Sequence, residues 1–169
     1  MATDKRVPVS PIHGMISTVG DATHGPLVQL LNPVASGIFV VVYELKIGVT
    51  IAAGTSRIRV RRTNAPLTLA ATVTTATPAR KDERDLAAIV ATLKGSTSTV
   101  LTAFTEANSF WFDAINKDTA AGYVEPEIFK PLSFPLISAA GSALEDCNPD
   151  ASATNSVRIY ASWDELVNP

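Results

Sequence analysis

The sequence predicts an all-β protein, a β-sandwich or a barrel. Three observations carry this. Ala, Thr, Val and Ser dominate a chain with only 18% charged residues, which suits pleated, half-buried surfaces. Short apolar or alternating runs recur along the chain, separated by Pro, Gly and Asn turns. A helical period fits one segment only, near residues 86–93. With 169 residues the chain is long enough for one domain whose core needs no metal or disulfide.

Residues 1–25 carry Pro8, Pro11, Gly14, Gly20 and Gly25. That spacing leaves no room for a long helix. It predicts an extended N-terminal arm, with a single sandwich domain over residues 26–169. Pro26 to Asn32 reads as a short apolar strand, and Asn32-Pro33 with Ser36-Gly37 marks a turn. From Ile38 to Gly48 runs a long strand, apolar on both faces at first. It then alternates, with Tyr43, Leu45 and Ile47 on one face and Glu44 and Lys46 on the other. Two strands joined by so short a turn predict a β-hairpin.

Ser56 to Thr63 alternates again, with Ile58 and Val60 against Arg57, Arg59 and Arg61. Leu67 to Thr77 is β-prone. Leu86, Ile89, Val90 and Leu93 fit the i, i+3, i+4, i+7 template, so a short helix is expected there, behind the mixed charges of residues 80–85. Gly95 to Asn108 reads as a Thr-rich strand. Phe110-Trp111-Phe112 is a dense aromatic cluster, and Val124 to Phe129, with its proline and acids, reads as an edge. Residues 131–137 alternate, residues 139–142 form a turn and residues 143–147 a short strand. Val157 to Leu166 is the last strand, with Val157, Ile159, Ala161 and Trp163 facing in.

Several function classes lack their residues. No Gly-x-Ser-x-Gly elbow, Gly-x-Gly-x-x-Gly turn or Walker loop occurs. His13 and His24 lie eleven residues apart and form no metal-ligand pattern. Cys147 stands alone, which excludes an intrachain disulfide and suits a reducing compartment. The acids Asp82/Glu83/Asp85, Glu125/Glu127, Glu145/Asp146 and Asp164/Glu165 are better suited to solvated loops or interfaces than to a glycosidase pair, whose separation no spacing along the chain shows. The expectation is a non-enzymatic protein without cofactor or metal. A formal net charge of −2 argues against a dedicated nucleic-acid binder or a polybasic membrane anchor. No apolar run reaches membrane-spanning length, and the first residues hold no secretory h-region.

Three stretches carry a resemblance. They are Leu30 to Val42 (LLNPVASGIFVVV), the Arg57–Thr63 strand with the small-residue segment after it, and Ala153 to Leu166 (ATNSVRIYASWDEL). Together they resemble small β-sandwich virion proteins of tailed bacteriophages. Those proteins place an Asn-Pro-x-x-Ser-Gly turn before an apolar strand and end on an Asn-Ser/Thr … Trp-Asp/Glu-Glu strand. The likeness covers both ends of the chain and little of its middle. Where that family has Pro-Gly before its penultimate strand, this chain has Ala140-Gly141.

The resemblance implies a jelly-roll-like antiparallel sandwich and a strand at Ala87–Leu93 in place of the helix. It further implies a capsid decoration (cement) protein, made in the host cytoplasm and placed on the capsid surface. Its partners would be the major capsid protein and further copies of itself, as a trimer or dimer. The residues expected at interfaces are Pro8, Pro11 and Ile12 of the arm and Arg57, Arg59 and Arg61 of the basic strand. Removal of residues 1–12 is expected to leave the domain folded. The alternative is a tail- or fibre-associated module binding a host-surface glycan, with Trp111 or Tyr160 as its aromatic platform.

Overall fold

The structure is a computed structural model, and it describes residues 11–19, 27–51, 54–66, 69, 73–82, 87–96, 109–119, 122–129, 136–147 and 156–167. Among these every regular element is a strand, and the strands form two antiparallel sheets packed as a β-sandwich.

The strands are β1 (Ile12–Val19), β2 (Leu27–Leu31), β3 (Ile38–Ile51), β4 (Gly54–Thr63), β5 (Val73–Thr75), β6 (Ala79–Arg80), β7 (Thr92–Ser96), β8 (Ser109–Thr119), β9 (Gly122–Phe129), β10 (Leu136–Ser138), β11 (Ala143–Cys147) and β12 (Ser156–Val167). The first sheet runs β10-β3-β12-β1-β6, with β9 also on β3. The second runs β5-β7-β2-β11-β4-β8.

One pairing ties the sheets together. In the first sheet β3 faces β9, with Val49 opposite Val124 and Ile51 opposite Gly122. In the second, β4 faces β8, with Gly54 opposite Thr119 and Val60 opposite Asp113. The ladder resumes in the same register on both sides of residues 52–53 and 120–121. The same two lengths of chain therefore pair with one another in both sheets, in one register.

The core lies between the sheets. Ile12, Ile16, Leu45, Ile47, Ile159, Ala161 and Trp163 come from the first, and Val28, Leu30, Val60, Leu93 and Leu144 from the second. Trp163 has no exposed surface, and small neighbours make room for its ring. Gly14 lies opposite Ala161. A Cβ at Gly14 would stand 2.9 Å from Leu93 Cδ2 and 3.1 Å from Trp163 Cη2. The glycine in the middle of β1 is thus explained by close packing rather than by a turn.

Three expectations change, and a fourth falls largely outside the described residues. Residues 12–19 are a sheet strand between β12 and β6, so the boundary drawn at residue 26 cuts through the domain. Its apolar Ile12, Gly14 and Ile16 fit the core face, which is why the segment pairs. Ile12 is 0% exposed, so a truncation through residue 12 removes part of the core. Second, β2 and β3 are not a hairpin: β2 pairs with β7 and β11, while β3 pairs with β12. The turn between them carries the chain across the sandwich.

Third, residues 87–91 form neither a helix nor a strand, and β7 begins only at Thr92. Side chains from elsewhere satisfy backbone groups there, as described below, so local periodicity is overruled. Finally, of residues 95–108 only the first two fall in a described strand, the end of β7; residues 97–108 lie outside the described residues, as do residues 1–10 with Pro8.

Candidate interaction surfaces

Arg61 follows the core residue Val60 along β4, so it projects from the far face of the second sheet. It is nevertheless 2% exposed. Its Nε donates to Glu145 Oε2 at 2.8 Å, and its terminal nitrogen lies 2.7 Å from the same oxygen. Gln29 Nε2 donates to Glu145 Oε1 at 2.8 Å. The register explains the row: Glu145 of the central strand β11 lies opposite Arg61 on one side and Gln29 on the other. Both carboxylate oxygens are satisfied, which a buried ion pair requires.

Arg61, expected at an interface, therefore spends its charge inside its own chain. Ile12 likewise offers no surface, and Pro11 is half-buried beside β6, where its carbonyl accepts from Lys81 N at 2.9 Å. Arg57 and Arg59 lie in β4, opposite Asn116 and Ala114 of β8; their side chains lie outside the described residues, as does Trp111's. The partner of Arg61 was hidden in the sequence by a separation of 84 residues.

A second surface is the end of the sandwich where three segments cross between sheets. Residues 32–37 join β2 to β3, residues 81–91 join β6 to β7, and residues 139–142 join β10 to β11. Asn32 organises the first. Its Nδ2 donates to Ile38 O at 2.8 Å, and its Oδ1 accepts from Ser36 Oγ at 2.6 Å. Its backbone N–H donates to Ser142 O at 3.0 Å and its carbonyl accepts from Gly141 N at 2.9 Å. Asn32 thereby fastens two crossings to one another. Ala35 takes a φ of 57° and Gly37 a φ of 69°, so the tight turn uses the left-handed region twice.

Glu165 fastens the remaining crossing. It is buried, and its carboxylate accepts from Val90 N at 3.0 Å and from Ala91 N at 2.7 Å. Arg80 Nε donates to Ala87 O at 3.0 Å. Two side chains from different strands thus hold an otherwise irregular apolar segment. Most of the described residues exposed on this end are apolar, Lys81 at the start of its crossing being the charged exception. Val34 is 83% exposed and Val167 80%, with Leu166, Ala35, Ala87, Ala88, Ala139 and Ala140 also exposed.

The third surface is the outer face of the first sheet. His13, Met15, Tyr160, Glu44 and Lys46 alternate with core residues on β1, β12 and β3. The Tyr160 hydroxyl and His13 Nδ1 share a short hydrogen bond, and the two rings stack with centroids 5.7 Å apart. Lys46 Nζ sits 5.2 Å from the centre of the Tyr160 ring and 3.3 Å from Glu44 Oε1. Farther along, Tyr43 donates its hydroxyl to Asp164 Oδ2 at 2.8 Å. Partial burial, then that bond and the carboxylate's charge, push the Tyr43 pKa up to about 12. Among the described residues no three His, Cys, Asp or Glu side chains gather as a metal site, and no helix is long and apolar enough to cross a membrane.

No protein-family model matches the chain, and no curated protein or solved structure is significantly similar to it.

Proposed function

We propose that the chain is a structural, non-enzymatic decoration protein of a phage capsid. In this reading it attaches through the end of the sandwich that carries the three crossings. One observation carries the reading. Parts of the two stretches with the likeness to phage virion proteins, residues 38–42 and 163–166, pair at this end: Trp163 lies opposite Val42 and Leu166 opposite Phe39. The apolar residues exposed on that end stand on segments already held by Asn32, Glu165 and Arg80. An apolar surface whose loops are ordered before contact loses little entropy on binding. Many weakly held copies on one shell then reinforce it collectively.

The test is immunogold labelling of intact particles of the virus that encodes the chain. Gold spread over the head is the expected result, and particles free of gold overturn the reading. In a binding assay on the same capsids, Val34→Asp and Val167→Asp should each lower the number of bound copies while the free domain keeps its melting temperature. A second reading, a tail-borne glycan-binding module, is favoured by the Tyr160 ring beside His13 and Lys46. Gold confined to the tail selects it, and Tyr160→Ala should then abolish cell attachment.

A further inference from the structure

A sheet must do something with its edges, because an unpaired strand presents a row of backbone donors and acceptors that invites a further strand. Three of the edge strands here are blunted. β6 has two residues, and β5 and β10 have three each. β9 is longer, but it contains Pro126, which lacks a donor, and its register shifts on β3 between Ile47 and Val49. β8 is different. It has 11 residues, SFWFDAINKDT, with neither proline nor glycine. Among the described residues its only pairing is with β4. One register shift falls near its start, opposite Val60 and Arg61, and from Asp113 to Thr119 the ladder is regular.

We propose that β8 pairs antiparallel with β8 of a second copy of this chain, about a two-fold axis at Ile115. The charges on the strand select this register. An isologous pairing is self-complementary, so each contact occurs twice. Centred on Ile115, the ladder sets Asp113 opposite Lys117 of the partner subunit, and Lys117 opposite Asp113 of the partner subunit. Opposite charges directly across a ladder stabilise it, and like charges destabilise it. The other register that opposes unlike charges, Lys117 against Asp118 of the partner subunit, pairs only residues 116–119. The Ile115 register pairs residues 111–119 and lies mostly in the regular part of the strand. It joins the second sheets of two copies into one. The proposal rests on this edge and not on the capsid reading, so either can fail alone.

The experiment uses the full chain. Light scattering coupled to size exclusion should give twice the 17.8 kDa chain mass. Asp113→Lys alone and Lys117→Asp alone should each give monomers, and the two together should restore the dimer, because the swap recreates both pairs. In a Cys147→Ser background, Ile115→Cys should oxidise to a covalent dimer in high yield. Thr119→Cys, eight positions along the strand from the level of its own symmetry mate, should not. A monomeric parent chain, a double swap that stays monomeric while its circular dichroism is unchanged, or equal cross-linking at residues 115 and 119 would each overturn the proposal. The cysteine pair keeps the test decisive even where a single charge reversal unfolds the chain.

Discussion

The two sheets treat their outer faces in opposite ways. On the second sheet, Gln29, Arg61, Glu145, Ala143 and Thr63 all lie away from the core, and all are buried. On the first, His13, Lys46, Glu44 and Tyr160 occupy the equivalent positions and keep contact with solvent, although Ser162 and Val41 on the same face are buried. Both faces come from the same alternation of apolar and polar residues. The pattern fixes which residues turn away from the core, but it says nothing of whether that side stays wet. The energetic meaning of a charge follows from this second fact. In the dry row a carboxylate without its guanidinium is stranded, whereas on the wet face water replaces a lost partner.

Breaking the dry row should have the largest effect. Arg61→Ala or Glu145→Ala removes one partner of a buried pair and should cost about 3–5 kcal/mol in chemical denaturation. Replacing both with apolar residues of similar volume should cost much less, and a double-mutant cycle measures the difference. Equal losses for the single and double variants would show that packing, not charge, holds the row.

Glu165→Ala comes next. It leaves the N–H groups of Val90 and Ala91 without their acceptor and should cost about 1–3 kcal/mol. Hydrogen exchange should then speed up at residues 90–91 while the centre of β12 stays protected. Protection lost throughout β12 would make Glu165 a part of the global core instead.

Tyr43 gives a smaller effect, visible only in alkali. Its folded pKa, about 12, lies above the ordinary 10.0. A raised pKa means the protonated phenol is favoured by folding. That contribution is fully present below pH 10 and is lost as pH rises through about 12. The parent chain should lose stability across that window more steeply than Tyr43→Phe. Parallel curves would remove Tyr43 as the cause. The smallest effect belongs to the wet pair: Lys46→Ala should change stability by about 0–1 kcal/mol, and salt should weaken even that.

Much of the fold was legible in the sequence. The strand cores of β2, β3, β4, β11 and β12 follow from apolar runs between Pro, Gly and Asn, and so does the inward face of Ile159, Ala161 and Trp163. Local pattern failed where partners are distant. The Asn32–Gly37 turn looks like a hairpin loop because a two-strand reading is the simplest use of a short connection. It crosses between sheets because β2 finds β7 and β11, 61 or more residues further along the chain. Residues 86–93 keep a helical period, yet Glu165 takes two of their N–H groups as acceptor and so removes the need for helical bonds.

The candidate surfaces were less legible than the fold. Arg61 was visible as one of three alternating arginines, but its place inside the chain depends on Glu145. The apolar end could not be read from the sequence, because Val34, Ala87, Ala139 and Val167 lie far apart along it and only the three crossings gather them.

What the sequence determined by itself is the all-β class, the strand cores of β2, β3, β4, β11 and β12, and the alternation that assigns most of their residues to a face. These depend on steps of one to four residues, and local sterics and hydrophobic periodicity act at that range. The tertiary structure alone decided which strands are neighbours, which outer face is dry, and which exposed residues share one end of the molecule. Those depend on contacts between residues tens of positions apart, where the choice among partners is made by packing the whole core at once.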